Sequence, residues 1–596
     1  MKKNSKQIIT TSIQELFDFQ KTDNIYIGEW CFSEKYKENK PLKNINFLDY
    51  HWDDRKKLYS DFKELNDLYN LIIPNISKKL NAIHSVNYSN RYWKILLGPW
   101  LITFIPIIFD RWTMLKKSLV KDKENEKYIR THKRYSGEFI PEGITEFQEM
   151  LHREDWNDYI FSEIFSMMNG KVFFLEKSYR HKKNKLFSQN IFHLFIKNII
   201  KKILLNVLKI FPTKQNLVIY ENGLPNWANI LIKLGHGQLP IILIKPNIKK
   251  TSFSDDWRKW KLDINKENIS EINLSNQFLE ILSILIPKNL PKAFLEGFSK
   301  YRTLIDKTRW PNCPKYILTA KCQDDFFKHW CAQNVELGSK LIWMQHGGNY
   351  GLNLFSSYET YEIDIADKYI TWGWTSEKFL SKIIPFKITK NLINKKIQPN
   401  KNGKILLCLT TAPKYSYQLY SAIISYGQWK SYIEDVTLFL KKLNHKISKN
   451  TYVRVDPTDR SLSQKNMIYK LFPKVKFDNQ KKTFQKVLSQ YSIFIGTYNA
   501  TTFLETLSFN FPTILFWNKE HWELREEAEK AFTLLEEVGI FHQNIEQATN
   551  FLELIYPNIE QWWFSKNTQN NIKKFCNIYC SNKKNILYLN KKIQSS

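Results

Sequence analysis

From residue 215 onward, short apolar runs alternate with helical patterns, and this alternation constrains the fold more than any other feature. LVIYEN reads as a strand, NWANILIKLG as a helix and PIILI as a strand. YILTA (316–320), the helical DDFFKHWCAQNVELG, KLIWM and KYITWGW (368–374) continue the series. A polar, Lys/Asn-rich linker over 387–403 leads to a second series: KILLCL (404–409), YVRVDP (452–457), SIFIGT (492–497) and PTILF (512–516). Strands separated by helices imply parallel sheets built from crossover units. Near-continuous apolar runs imply that both faces of each sheet are covered. The expected fold class is α/β, with two Rossmann-like domains facing a cleft, a largely helical N-terminal extension and C-terminal helices. The expected boundaries are 1–212 for the helical region, 213–390 and 391–540 for the two α/β units, and 541–596 for the tail.

The N-terminal region is aromatic-rich, with a helical period through Leu58, Phe62, Leu65, Leu68, Tyr69 and Ile72. Its most apolar run, ILLGPWLITFIPIIF (95–109), is broken by Pro99 and Pro106. It reads as a buried element, too short and interrupted to span a bilayer. In 191–211, Phe192, Phe195, Ile196, Ile199, Ile203, Val207 and Ile210 repeat at helical spacing opposite Lys197, Lys201, Lys202 and Lys209. Such a pattern suits an interfacial helix on an anionic membrane surface. A helix docked on the core with a solvated lysine face fits it equally.

The net charge of +31 favours anionic partners, yet no zinc-finger spacing, aromatic RNA-binding strand or basic zipper is present, so nucleic acid is not expected. The seven cysteines include no CxxC pair and the N-terminus has no apolar signal core. These features predict a cytoplasmic protein without a disulfide framework, structural zinc or cofactor.

Two stretches carry candidate chemistry. In KLIWMQHGGNYG (340–351) a strand runs into a loop that begins Gln345, His346, Gly347, Gly348. Ligands of open α/β sheets bind at strand C-termini, and the glycines remove Cβ atoms that would hold a ligand off the backbone. A tight turn with a hydrogen-bonded histidine is the plainer reading. In GTYNATTFLETLSFNFPTILF (496–516), Gly496 allows a turn, and Asn499, Thr501 and Thr502 start a helix whose free N–H groups suit phosphate oxygens. Glu505, one turn later, is placed for ribose hydroxyls, or as a capping-box partner of Thr502. Arg454 and Asp456 are expected at the same rim from the neighbouring strand, with Thr410 and Thr411 after KILLCL. Glu362 and Asp364, before KYITWGW, are alternative bases to His346. No metal-binding string ends a strand, so no metal is expected.

The strand, Gly/Thr turn, Glu-bearing helix and Pro-led strand of 492–516 resemble the nucleotide-sugar half of GT-B glycosyltransferases. Gln345-His346-Gly347 resembles the loop of capsule and teichoic-type polymer transferases. Gly28-Glu29-Trp30-Cys31, His51-Trp52-Asp53-Asp54-Arg55, Gly98-Pro99-Trp100-Leu101, Asp110-Arg111-Trp112, Thr371-Trp372-Gly373 and Trp562-Trp563 extend the similarity to one bacterial transferase family of O-antigen and related surface-polysaccharide clusters. The resemblance implies transfer of a sugar from a nucleotide-sugar donor, held by 391–540, to a lipid-linked or glycan acceptor on the 213–390 side. A location on the inner face of the cytoplasmic membrane follows from such an acceptor. Transfer of a polyol-phosphate or other phosphoryl-linked group, or non-catalytic binding of glycan or membrane, stands as the alternative. Asp456-Pro457 replaces the His-Pro of sialyl- and Kdo-type transferases, so a CMP-activated acidic sugar is not implied.

Overall fold

The structure, a computed structural model, describes residues 5–18, 24–32, 47–121, 125–176, 215–241, 243–264, 273–321, 323–458, 462–479 and 482–596. The candidate membrane helix at 191–211 lies outside them.

Three parallel sheets organise the described residues. The first joins β1 (Ser5–Ile9), β2 (Ile25–Tyr26), β3 (Glu126–His132) and β4 (Lys171–Leu175) in the order β2-β1-β3-β4. It occupies the region expected to be largely helical. Its strands are dispersed among the long helices α1 (Arg55–His84) and α2 (Asn90–Val120) and the shorter α3 (Glu154–Met167), which dominate the local pattern.

The apolar run at 95–109 is the middle of α2, a helix of 31 residues. By length and composition α2 could cross a membrane, but 94% of its most apolar window is buried inside the protein. Both prolines lie within it. Pro99 cannot donate to the carbonyl of Ile95. The Tyr361 hydroxyl approaches that carbonyl at 3.4 Å and the Lys94 carbonyl at 3.2 Å. Gly98 makes room for this tyrosine, since a Cβ there would lie 2.0 Å from its ring. The Gly-Pro pair is therefore a notch in the central helix into which a neighbouring element is keyed.

The second sheet holds β5 (Leu217–Tyr220), β6 (Tyr316–Thr319), β7 (Lys340–Met344), β8 (Lys368–Thr371) and β9 (Ile383–Pro385), in consecutive order. On one face of this sheet α5 (Asp325–Glu336) and α6 (Ser357–Ile365) share the main core with α2, while α4 (Asn226–Gly235) lies in a smaller cluster on the opposite face. The strand expected at 240–244 does not form among its described residues. Pro240 has no ladder donor, and the Ile244 carbonyl instead accepts from the Trp310 indole at 2.9 Å.

The third sheet comprises β10 (Ile405–Cys408), β11 (Thr451–Arg454), β12 (Lys476–Phe477), β13 (Ile493–Gly496), β14 (Thr513–Phe516) and β15 (Phe541–His542). Its order is β12-β11-β10-β13-β14-β15, which reverses between β10 and β13. Outside the carboxyl ends of strands at such a reversal an open α/β sheet leaves a crevice. After β10 a long loop over 409–425 leads into α7 (Tyr426–Lys442), and β13 leads into α8 (Thr501–Ser508). A final helix, α9 (Ile586–Gln594), returns to the second sheet beside α4.

Candidate active site

The reversal between β10 and β13 opens onto a cavity of about 460 Å³. Its walls come from all three parts of the molecule. The loop after β7 contributes His346, Gly347, Asn349 and Tyr350, the loop after β10 contributes Thr410 and Thr411, and the start of α8 contributes Tyr498, Asn499 and Ala500. The two motif loops, distant in sequence, touch directly. Gly348 N–H donates to Thr501 Oγ1 at 3.0 Å, and Asn499 Nδ2 donates to Asn353 Oδ1 at 2.9 Å. A Cβ on Gly348 would lie 2.5 Å from the Thr501 Cα, so this glycine serves the approach of α8 rather than of a ligand. Gly496 is likewise a packing residue. It is the last residue of β13, and a Cβ there would crowd Leu515 and Phe494.

Gln345 is buried and committed to structure. Its amide donates to the Gly347 carbonyl at 2.8 Å, and its oxygen accepts from Trp372 N and Trp374 Nε1, each at 2.8 Å. These bonds fix the loop that presents His346. The imidazole opens to the cavity, and its Nδ1 lies 3.6 Å from Glu362 Oε1, just beyond hydrogen-bond length. Burial, then Lys321 and Lys390, lowers the His346 pKa to about 4. The ring is neutral at pH 7 and can accept a proton. Glu362 is almost fully buried on α6, with Tyr369 and Tyr350 hydroxyls at 3.1 and 3.3 Å from its two oxygens. Burial raises its pKa well above the carboxylate range, against the effect of those hydroxyls. Glu362 therefore stands behind His346 and does not itself line the cavity. Asp364, two residues on, points to the other side of α6, where it pairs with Lys94 at 2.7 Å. It is outside the site.

On the other wall, α8 begins at Ala500, which provides no side-chain cap. Its first N–H groups carry the positive end of the helix dipole. The capping-box reading of Thr502 and Glu505 is not realised: Thr502 Oγ1 donates to the Tyr498 hydroxyl at 3.1 Å. Asn499 Oδ1 and Thr411 Oγ1 are buried, belong to cavity-lining residues and have no hydrogen-bond partner among the described residues. Buried polar atoms are seldom left unpaired. Thr410 lines the cavity while its N–H donates to the Tyr432 hydroxyl at 3.0 Å.

Three expected rim residues lie elsewhere. Arg454 is paired with Asp478 beyond β12. Asp456 closes a local turn by accepting from Thr458 N at 2.8 Å. Glu505 is buried behind the helix start and does not line the cavity. Burial raises its pKa to about 7, with Lys390 opposing the shift.

Several lining residues carried no motif signal, among them His152, Tyr417, Tyr420 and Trp522. Among the described lining residues none is Asp, Glu, Lys or Arg. The polar part of the surface consists of amides, hydroxyls and imidazoles, set among aromatic rings and the aliphatic Leu151 and Ile423. Much of it rides on the loop 409–425, which buried charges of the N-terminal region hold in place. Arg111 donates to the Ser416 carbonyl at 2.8 Å while paired with Asp110. Arg55 forks onto Glu523 at 2.7 and 2.8 Å and reaches the Ala422 carbonyl at 3.2 Å. Lys414 and Tyr415 both engage Glu154 on α3.

Residues 6–593 match the LIC12162 family transferase. The chain belongs to that family. Among curated proteins none matches the sequence. For a LIC12162 family transferase, an enzyme that moves a chemical group between two molecules, a site needs a base beside an anchor for a leaving group. His346 and Ala500, at the start of α8, line the same cavity.

Proposed function

We propose that this transferase moves a sugar from a nucleotide-sugar donor to a hydroxyl of a lipid-linked or glycan acceptor in surface-polysaccharide assembly, in a GT-B-like arrangement of the second and third sheets. The observation that carries the reading is the convergence of His346 and the uncapped helix start on one cavity lined by amides, hydroxyls and aromatic rings. The donor diphosphate lies at the start of α8, where backbone N–H groups and the Thr411 hydroxyl meet its oxygens. Its sugar lies toward Tyr417, Tyr420 and Trp522. The acceptor hydroxyl attacks the anomeric carbon and gives its proton to His346, and the bond to the phosphate oxygen breaks. The negative charge gained by the departing nucleotide falls at the positive end of α8. Glu362, its carboxyl kept neutral by burial, packs behind the imidazole and puts no negative charge against it. The role in surface polysaccharide, and work at the cytoplasmic face of a membrane, are supported by the sequence resemblance.

The test is calorimetric titration with UDP-, GDP-, CMP- and CDP-linked sugars, followed by transfer assays on the donor that binds. One donor class is expected to bind, and Thr411→Val should weaken it about tenfold, as loss of a hydrogen bond to a charged group does. If none of the four classes binds, the donor assignment is wrong.

A further inference from the structure

One face of the second sheet is covered by α4 and α9. Ala228 and Ile232 of α4, with Leu589 and Ile593 of α9, pack there against Leu217 and Ile342. The outer side of α4 is apolar as well. Trp227, Ile230, Leu231 and Leu234 are 43%, 43%, 47% and 51% exposed. Their i, i+3, i+4, i+7 spacing makes a continuous stripe on a helix that is apolar on both sides. Leu587 on α9, 70% exposed, extends the stripe, and a groove of about 380 Å³ runs between the two helices. Single exposed apolar side chains are ordinary, whereas a contiguous stripe across adjacent helices marks a contact surface.

The charge carried by α4, α9 and the chain beside them has one sign, Glu221 at the end of β5 being the last acidic residue before α4. The sequence contains no Asp or Glu over 222–240, 386–400 or 581–596. Lys583, Lys584, Lys591 and Lys592 are exposed around α9. The segment that precedes β5, residues 177–214, carries ten Lys and Arg and no Asp or Glu. Covering the stripe with that segment would set lysine against lysine. An anionic partner suits both.

We propose that the outer faces of α4 and α9 dock on an anionic lipid bilayer, the apolar stripe entering the interface and the lysines meeting the headgroups. This surface is distinct from the cavity, and the proposal is independent of what the cavity binds. It supplies membrane contact from described residues, separate from the expectation at 191–211.

Flotation with phosphatidylcholine vesicles, with and without phosphatidylglycerol, tests it on the full chain. Wild type should float with the anionic vesicles only. Ile230→Gln with Leu234→Gln should lower that partitioning about tenfold or more, given two side chains removed from an apolar contact. Both positions are half exposed, and circular dichroism checks that the variant folds. A second readout separates this surface from 191–211: a polarity-sensitive dye on Ile230→Cys in a Cys313→Ser background, Cys313 being exposed. Its emission should shift to the blue with anionic vesicles. An unshifted dye, or equal flotation of the double variant, overturns the proposal and leaves any binding to 191–211. A wild-type dimer that the double variant dissociates, with flotation unchanged, would assign the stripe to a second copy and overturn it equally.

Discussion

His346 and Glu505 depart from their ordinary ionisation in opposite directions, and each departure gives a measurable pH dependence. His346 is lowered to about 4 by burial and by Lys321 and Lys390, so its neutral form dominates above about pH 5. If it is the base, the acid limb of kcat/KM falls near pH 4 rather than near its unperturbed 6.5, because that limb reports the free enzyme. His346→Ala should lower kcat about 10²–10⁴-fold and leave donor affinity nearly unchanged. A variant with most of its turnover intact would make the histidine structural. Glu505 is raised from 4.5 to about 7 by burial. Below about pH 4.5 its carboxyl is protonated in both folded and unfolded chains and contributes no difference. As pH rises from 4.5 to 7 the unfolded chain ionises first, the folded chain holds more protons, and stability falls by roughly 2–4 kcal/mol before levelling. Glu505→Gln should therefore raise Tm at pH 8 and leave it unchanged at pH 4. Melting curves across that range check the sign. Destabilisation of the variant at pH 8 would mean that the ionised carboxylate makes contacts worth more than its burial costs.

At the scale of elements, the decisive contact is the loop after β7 seated on the start of α8. Gly348→Ala places a methyl 2.5 Å from the Thr501 Cα and 2.6 Å from its N, both backbone atoms that cannot swing aside. The loop must lift away, at roughly 1–3 kcal/mol for overpacking. It should carry His346 out of line, so turnover falls more than denaturant stability does. Gly347→Ala meets only the Asn349 side-chain oxygen at 2.9 Å and should be milder, which makes the pair a controlled comparison. Both glycines were conspicuous in the sequence, but the spacing could not say which one served packing and which a ligand, since both uses remove a Cβ. The longer strands of the second and third sheets are legible because each is a dense apolar run. Ile383–Pro385, Lys476–Phe477 and Phe541–His542, of three residues or fewer, are not, so the third sheet extends past the expected boundary at 540. Nor is the first sheet. Ile25–Tyr26 is two residues long, and β3 and β4 are separated from β1 by helices whose period fills the same windows. The sequence string sets Asp364 beside Glu362 without showing helix phase, and two residues along α6 reverse direction, which turns Asp364 to Lys94 and away from the cavity lining. Arg454 stood at the expected strand end, level with Cys408 and next to the reversal, but its partner Asp478 comes from another strand's end, which no local pattern reveals.

Across the whole molecule, the cavity exists because three sheets meet at the loop 409–425. The motifs His51-Trp52-Asp53-Asp54-Arg55 and Asp110-Arg111-Trp112 turn out to bind that loop rather than a substrate. His51 Nε2 lies 2.9 Å from Asp110 Oδ1, Arg111 pairs with Asp110, and Arg111 reaches both the Asn157 side chain and the Ser416 carbonyl at 2.8 Å. Burial opposes ionisation of Asp110, and Arg111 with His51 outweighs it, so the carboxyl is held below its ordinary value. Removing one partner of such a buried pair costs about 3–5 kcal/mol, because the other charge is left unpaired. Arg111→Met should show that loss in denaturant unfolding, and it should also weaken any ligand that contacts Thr411, since Ser416 is no longer tethered. The two effects are separable. Asp110→Asn added to Arg111→Met removes the stranded charge, so a large share of the stability should return. The tether to Ser416 stays broken, so ligand affinity should not. If affinity recovers together with stability, the Asp110–Arg111 pair acts only on folding, and the loop is held in register by its other contacts, to Glu154, Arg55, Asn353 and Ser357.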